Sequence, residues 1–172
     1  ERMRKDYFSR FTLRLAETLT DFLPELGGSA IEWQRGWPDD VDLCELLRQR
    51  RRRDRARGHT SRGPHRADWS IRFVQAPQRE HLSRGQEKLC ALACVLAQAR
   101  WHADACAQWP VIALDDLGSE LDRDHQRRAL EWLGQGCEQV LISGVELPDA
   151  LRLPASAATV FHVEHGGLRG LL

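Results

Sequence analysis

An α/β fold is predicted for this chain by three observations. Apolar residues recur at helical spacing near the start. Short apolar runs alternate with helical segments in the second half. Glycines and prolines punctuate the joins between them. The 172 residues fall within the roughly 100–200 of a single domain. With 42% hydrophobic and 29% charged residues, the composition is that of a globular protein and not of a disordered one. No apolar run nears the ~20 residues that a membrane span needs, and no leader pattern is present. A membrane partner is therefore not expected.

The elements follow in order. Met3, Tyr7, Phe11, Leu15, Leu19 and Phe22 recur every three or four positions and predict an amphipathic helix that opens without a capping residue. Pro24 and Gly27-Gly28 break it. Residues 30–34 suit a short strand, followed by a turn at 36–38. Asp39 or Asp40 is expected to cap a second helix, with Val41, Leu43, Leu46 and Leu47 on its apolar side. That helix runs through 48–57 and stops at Gly58. A loop over 58–68 leads to a strand at 69–74. A long helix is expected from Ser83 to about Trp101. Residues 111–114 form a short apolar strand ending in two acids. A helix from Asp122 to about Leu133 is stopped by Gly134 and Gly136. Strands are expected at 140–143 and 159–165, the latter turning at Gly166-Gly167.

Charge is balanced overall, with 25 basic and 25 acidic residues, but unevenly placed. Between 48 and 72 ten arginines meet two acids, Asp54 and Asp68, a local net of +8. Seven arginines in the ten positions 48–57 surround a helix on most sides, so that end is solvated. One reading stops there. The other is phosphate contact, because guanidinium forks match phosphate oxygens and a dense like-charge patch repels itself. Arg50, Arg51, Arg52, Arg53, Arg55 and Arg57, with Arg62 and Arg66 beyond them, are the candidates for that phosphate contact. A GC-rich coding sequence would enrich arginine as well. The five cysteines, Cys44, Cys90, Cys94, Cys106 and Cys137, are odd in number and form no CxxC pair. Cys90 and Cys94, four apart in an apolar stretch, are expected to be small buried hydrophobes on one helix face, and the set reads as that of a reduced, cytoplasmic protein.

Three segments carry chemistry. Ser83 and Gln86 form a capping box, and Gly85 sits in the same first turn, where glycine has no helical benefit. Free N–H groups at a helix start attract anions, although a capping box alone is common. Next, 111–114 ends in Asp115 and Asp116. Acids at the carboxyl end of a central strand sit where α/β sheets bind ligands, and a plain loop start would look the same. Ser119-Glu120-Leu121-Asp122 follows at once. The order S-x-G-Q, then four apolar residues with D-D, then S-x-L-D, resembles the signature motif, Walker B strand and D-loop of an ATP-binding-cassette ATPase.

The details resemble the RecF family of bacterial DNA replication and repair proteins: Leu82-Ser83-Arg84-Gly85-Gln86-Glu87-Lys88, the Asp115-Asp116 pair, and Ser119-Glu120-Leu121-Asp122. So do the segment from Gly58 to Asp68, matching G-x-T-x-x-G-P-H-R-x-D, and the ending from Phe161 to Gly166. The resemblance implies the C-terminal part of an ABC-type ATPase head, a parallel sheet core flanked by helices, with part of a helical lobe. Residues 1–57 would be the end of that lobe with its basic helix, and 58–172 the signature and Walker B portion of the head. It implies ATP and Mg²⁺ as cofactors. Asp115 would position the metal and Asp116 would be the acid that polarises water. Ser83, Gly85 and Gln86 would contact the γ-phosphate of ATP held by the other subunit of an ATP-dependent homodimer, and Ser119 and Asp122 would face that partner. Ser143 stands at the switch position, where Gly144 follows instead of a customary histidine, so slow hydrolysis is expected. Implied partners are DNA at single-strand/duplex junctions and the RecR and RecO proteins, in repair, recombination and the SOS response. No role is assigned to the stretch from Gly63 to Arg66.

No G-x-x-x-x-G-K-[ST] occurs in the 172 residues. The chain is therefore expected to be roughly the C-terminal half of such a protein, inactive when isolated. Rival readings are another SMC-like or transporter ATPase, a non-catalytic DNA-binding module built on the arginines, and a metal nuclease using Asp115 and Asp116. The last leaves the 83–86 and 119–122 motifs unexplained.

Overall fold

The computed structural model describes residues 2–147, 151 and 158–170. Its centre is a pair of long helices, α1 (Arg2–Phe22) and α3 (Arg84–Cys106). They share a core in which Phe11, Leu15, Leu19 and Phe22 meet Leu89, Ala93, Leu96 and Ala97. Small residues on α3 let the two helices approach closely, while the leucines and phenylalanines of α1 fill the space between. α3 runs one turn beyond the expected end near Trp101. Ala103 is buried, and an Arg14–Asp104 ion pair of 2.6 Å holds that last turn to α1 before Ala107, at φ 55°, ends it.

A hairpin-like pair covers one flank of α1. Strand β1 (Ser29–Gln34) runs antiparallel to β2 (Asp68–Phe73), with Ile31 opposite Ile71 and Trp33 opposite Trp69. Phe8 of α1 packs its ring 5.1 Å from Trp33 and 6.1 Å from Trp69. Between these strands runs α2 (Leu43–Arg57). Its cap is Asp42, whose carboxylate accepts the N–H of Glu45 at 3.0 Å, and not Asp39 or Asp40. Asp39 is engaged instead by Arg35, which donates to its carbonyl at 3.0 Å. Gly58, at φ 74°, closes α2 as expected.

The other end of the α1/α3 pair carries the α/β part. Strand β3 (Ile112–Leu114) is followed by α4 (Leu117–Glu120) and α5 (Arg123–Gly134), and then by β4 (Val140–Ile142). β3 and β4 pair in parallel, Ala113 opposite Leu141. α5 presents Ala129, Trp132 and Leu133 to the shared core, with the Trp132 ring set edge-on to Phe22 at 5.8 Å. These strands are less enclosed than their apolar sequences predict: Leu141 is 55% exposed. The last elements are β5 (Phe161–Glu164) and β6 (Gly167–Gly170), an antiparallel pair exposed at every residue. The turn between them is at His165-Gly166, both at positive φ, one residue earlier than expected. No helix among the described residues is long and apolar enough to cross a membrane.

Candidate functional site

The two strand-end acids are held by hydroxyls. The β3–β4 ladder continues one residue past the strands, with the Ser143 N–H donating to the Leu114 carbonyl at 2.9 Å. That places the Ser143 side chain beside the acids. Its hydroxyl donates to Asp115 Oδ1 and accepts the backbone N–H of Asp116 at 3.2 Å. Asp116 adopts φ 50°, ψ 43°, a left-handed conformation that Asp tolerates better than most residues. It turns the chain from β3 into α4. The Asp116 carboxylate accepts the Ser119 hydroxyl at 2.5 Å. Asp115 Oδ2 has no protein donor among the described residues. Asp115, Asp116, Ser119 and Ser143 thus form one cluster.

Ser83, Gly85, Gln86 and Asp122 form a second. The capping box is complete: Ser83 Oγ accepts the Gln86 N–H at 3.2 Å, and Gln86 Oε1 accepts the Ser83 N–H at 2.9 Å. Asp122 caps α5 in the same way, accepting the His125 N–H at 3.0 Å, and its other oxygen lies 2.8 Å from His125 Nδ1. The two helix starts face each other. A Cβ on Gly85 would lie 3.4 Å from His125 Nδ1 and 3.7 Å from Asp122 Oδ2. Within the chain, then, the group nearest this glycine is a histidine ring of α5. A Lys88–Glu120 ion pair of 2.6 Å also ties α3 to α4, so the 117–122 segment bridges both clusters.

Sequence reasoning missed what supports Gln86. Its amide donates to Glu25 at 3.4 Å. Arg128 of α5 donates to Glu25 at 3.0 Å and to the Phe22 carbonyl at 2.9 Å. Burial is the strongest single influence on the Glu25 carboxyl and opposes its ionisation. The backbone hydrogen bond, Arg128 and Gln86 together outweigh it and hold the group below its usual range. These partners lie 61 and 103 positions from Glu25, so no local pattern could reveal them.

The arginines lie on α2 and the loop after it. Leu46 and Asp54 are the buried residues of the helix, and Arg50 is half-buried on the same side. Asp54 accepts the Ser61 hydroxyl at 2.7 Å, which chiefly holds its carboxyl below the usual range. At ~100° per residue, Arg48, Arg51, Arg52 and Arg55 share the opposite face. Arg51 and Arg55 border a shallow open depression of about 590 Å³ with Gly58, His59 and Thr60. None of Arg50, Arg51, Arg52, Arg53, Arg55, Arg57, Arg62 and Arg66 pairs with an acid within 4 Å among the described residues.

The unassigned stretch from Gly63 to Arg66 is a docked turn. Gly36, at φ 91°, comes so close to it that a Cβ would lie 2.4 Å from the Gly63 carbonyl. The Gly63 N–H reaches the Gly36 carbonyl at 3.3 Å, His65 Nε2 lies 2.8 Å from the Thr60 carbonyl, and Arg4 donates to the Pro64 carbonyl at 2.8 Å.

Two acids at the end of a parallel strand, a capped helix start carrying glycine, and a bridging serine-to-aspartate loop are set on a chain whose fold class is that of ABC-type ATPase heads. A structure of the recombination mediator protein RecF-ATPrS in the RecFOR pathway superposes with a TM-score of 0.74 at 21% identity, over 99% of this chain and 46% of that one. A structure from work on ATP-driven dimerization and DNA-stimulated activation of SMC ATPases superposes at 0.62 and 14%, over 99% of this chain and 87% of that one. In sequence the chain is RecF-like. It is 50% identical over 164 residues to the DNA replication and repair protein RecF of Xanthomonas axonopodis pv. citri, and 38% identical over 169 residues to that of Chromohalobacter salexigens. These matches cover 95% and 96% of this chain but 45% and 46% of the relatives, so the chain spans about half their length. No protein-family model matches it.

Proposed function

We propose that this chain is the C-terminal half of a RecF-type DNA-repair ATPase, carrying the half of the nucleotide site that closes on ATP held by a second subunit. The observation that supports it most is the close approach of the two helix starts at Gly85 and Asp122, in a chain whose Asp115–Asp116 pair follows a parallel strand and whose sequence is about half identical to RecF proteins. ATP bridging two subunits would act as a switch, with hydrolysis removing the bridge.

The strand-end acids offer a divalent cation a partial ligand set: among the described residues, Asp115 presents one oxygen without a protein donor beside one already hydrogen-bonded. Bound there with ATP, Mg²⁺ would neutralise charge on the phosphates. The other roles belong to the chain. Asp115 orients the cation's shell, and Asp116 accepts a proton from the attacking water once Ser119 releases its carboxylate. Ser83, Gly85 and the backbone of the first α3 turn meet the γ-phosphate across the dimer. The phosphate loop comes from outside these 172 residues. The unpaired arginines of α2, with Arg62 and Arg66, supply the charge for DNA, and RecR and RecO are the partners such a protein would work with, in the cytoplasm. The basic helix that ends residues 1–57 faces DNA, and 58–172 carries the signature and Walker B portion.

Asp116→Asn in the natural-length protein tests the reading. ATP binding is expected to persist while turnover falls by roughly 100-fold or more, the usual contribution of a general base. Unchanged turnover would overturn the assignment of Asp116.

A second reading, a DNA-binding module without turnover, is favoured by the arginine face alone. It predicts DNA affinity that is indifferent to ATP.

A further inference from the structure

We infer that Ser143 is a positioning residue, which aims the Asp115 carboxylate and pins the turn at Asp116, and does not itself donate to water or phosphate. This rests on the ATPase reading above. A serine hydroxyl has one proton and two lone pairs. Here the proton is given to Asp115 Oδ1, and one lone pair takes the Asp116 N–H at 3.2 Å. With its proton committed, the hydroxyl has nothing to donate to a γ-phosphate oxygen, which is what a switch residue must do.

The placement is set by the sheet. Leu114 and Ile142 are register partners, and the Ser143 N–H to Leu114 carbonyl bond of 2.9 Å carries the ladder to the point where the chain turns. The same hydroxyl is the hydrogen-bond partner of the Asp116 N–H among the described residues. Asp116 stands in the left-handed region, so its carboxylate direction depends on that turn being kept. One side chain therefore governs both acids from the neighbouring strand. Residues that hold a ligand's outer side shape metal affinity without touching the metal.

The test uses the natural-length protein, with Mn²⁺ as the spectroscopic probe in the presence of a slowly hydrolysed ATP analogue. Ser143→Ala is expected to weaken Mn²⁺ binding by about 10- to 100-fold, with metal-free nucleotide binding unchanged. Ser143→Thr keeps the hydroxyl and is expected to restore most of the affinity. Ser143→Cys keeps the size but donates poorly, and should resemble the alanine variant. It serves in its place if Ser143→Ala does not fold. Should Mn²⁺ affinity hold in Ser143→Ala while kcat alone falls, Ser143 acts on the water, and the inference is wrong. No change in either quantity overturns it as well. Failure of the unmutated protein to bind any nucleotide would be a different result: it would remove the ATPase reading itself, and this inference with it.

Discussion

Replacing Gly85 by alanine separates a glycine kept for folding from one kept for binding. The backbone at Gly85 is not in the left-handed region, so alanine meets no conformational penalty. Its Cβ would lie 3.4 Å and 3.5 Å from two atoms of the His125 ring and 3.7 Å from Asp122 Oδ2, distances of ordinary van der Waals contact. Glycine within a helix costs roughly 0.5–1 kcal/mol relative to alanine. At the second position of α3 the lower figure applies, so Gly85→Ala should stabilise the chain by about 0.5 kcal/mol, or about 1–2 °C in Tm for a chain of this size. The same methyl adds bulk to the first turn of α3, where the γ-phosphate is proposed to approach. In the natural-length protein ATP-driven self-association should weaken at least about tenfold, or ~1.4 kcal/mol. Calorimetry of this chain and sedimentation of the longer protein read the two effects. A fall in Tm beyond about 3 °C, ~1 kcal/mol on that scale, would show that the fold itself requires the glycine. Unchanged association would show that the first turn of α3 is not at the nucleotide.

Three further outcomes are expected. Glu25 is held below its ordinary value near 4.5, so its stabilising contribution is complete above that pH and is lost as pH falls through the lower folded value. The Tm of the unmutated chain should therefore drop more steeply than that of Glu25→Gln between about pH 5 and about pH 3, and parallel profiles would refute the Arg128–Glu25–Gln86 contact. Arg51→Gln with Arg55→Gln should reduce the salt dependence of duplex binding by ~1.8 in log–log slope, ~0.9 for each phosphate no longer neutralised; an unchanged slope would remove the α2 face from the DNA interface. Leu15 is fully buried between α1 and α3, and Leu15→Ala should cost about 2–5 kcal/mol in urea unfolding, whereas a loss near zero would mean that α1 and α3 do not share a core at this residue.

Most elements were legible because their signals are local. The Ser83–Gln86 box, the Gly58 stop and the apolar repeat of α1 each depend on residues within one or two helical turns. Asp42 escaped because three aspartates precede α2, and the choice between them turned on Arg35 occupying Asp39. The last turn of α3 escaped because it depends on Arg14, a residue of another helix. At the site, the motifs located Asp115, Asp116, Ser119 and Ser143, but the hydrogen bonds of Ser143 come from strand pairing, which spacing does not show. The need for glycine at position 36 was likewise hidden, since it lies in the approach of the Gly63–Ala67 backbone. Glu25 and Arg128 carry no motif at all.

A chain that supplies one face of an ATP site shared between two subunits must bring those subunits together when ATP binds. Sedimentation equilibrium of the natural-length protein with Mg²⁺, in ATP and then in ADP, reads that step. The expected result is a mass twice that of the monomer in ATP and the monomer mass in ADP. A monomer in both, with ATP demonstrably bound, would contradict the shared site.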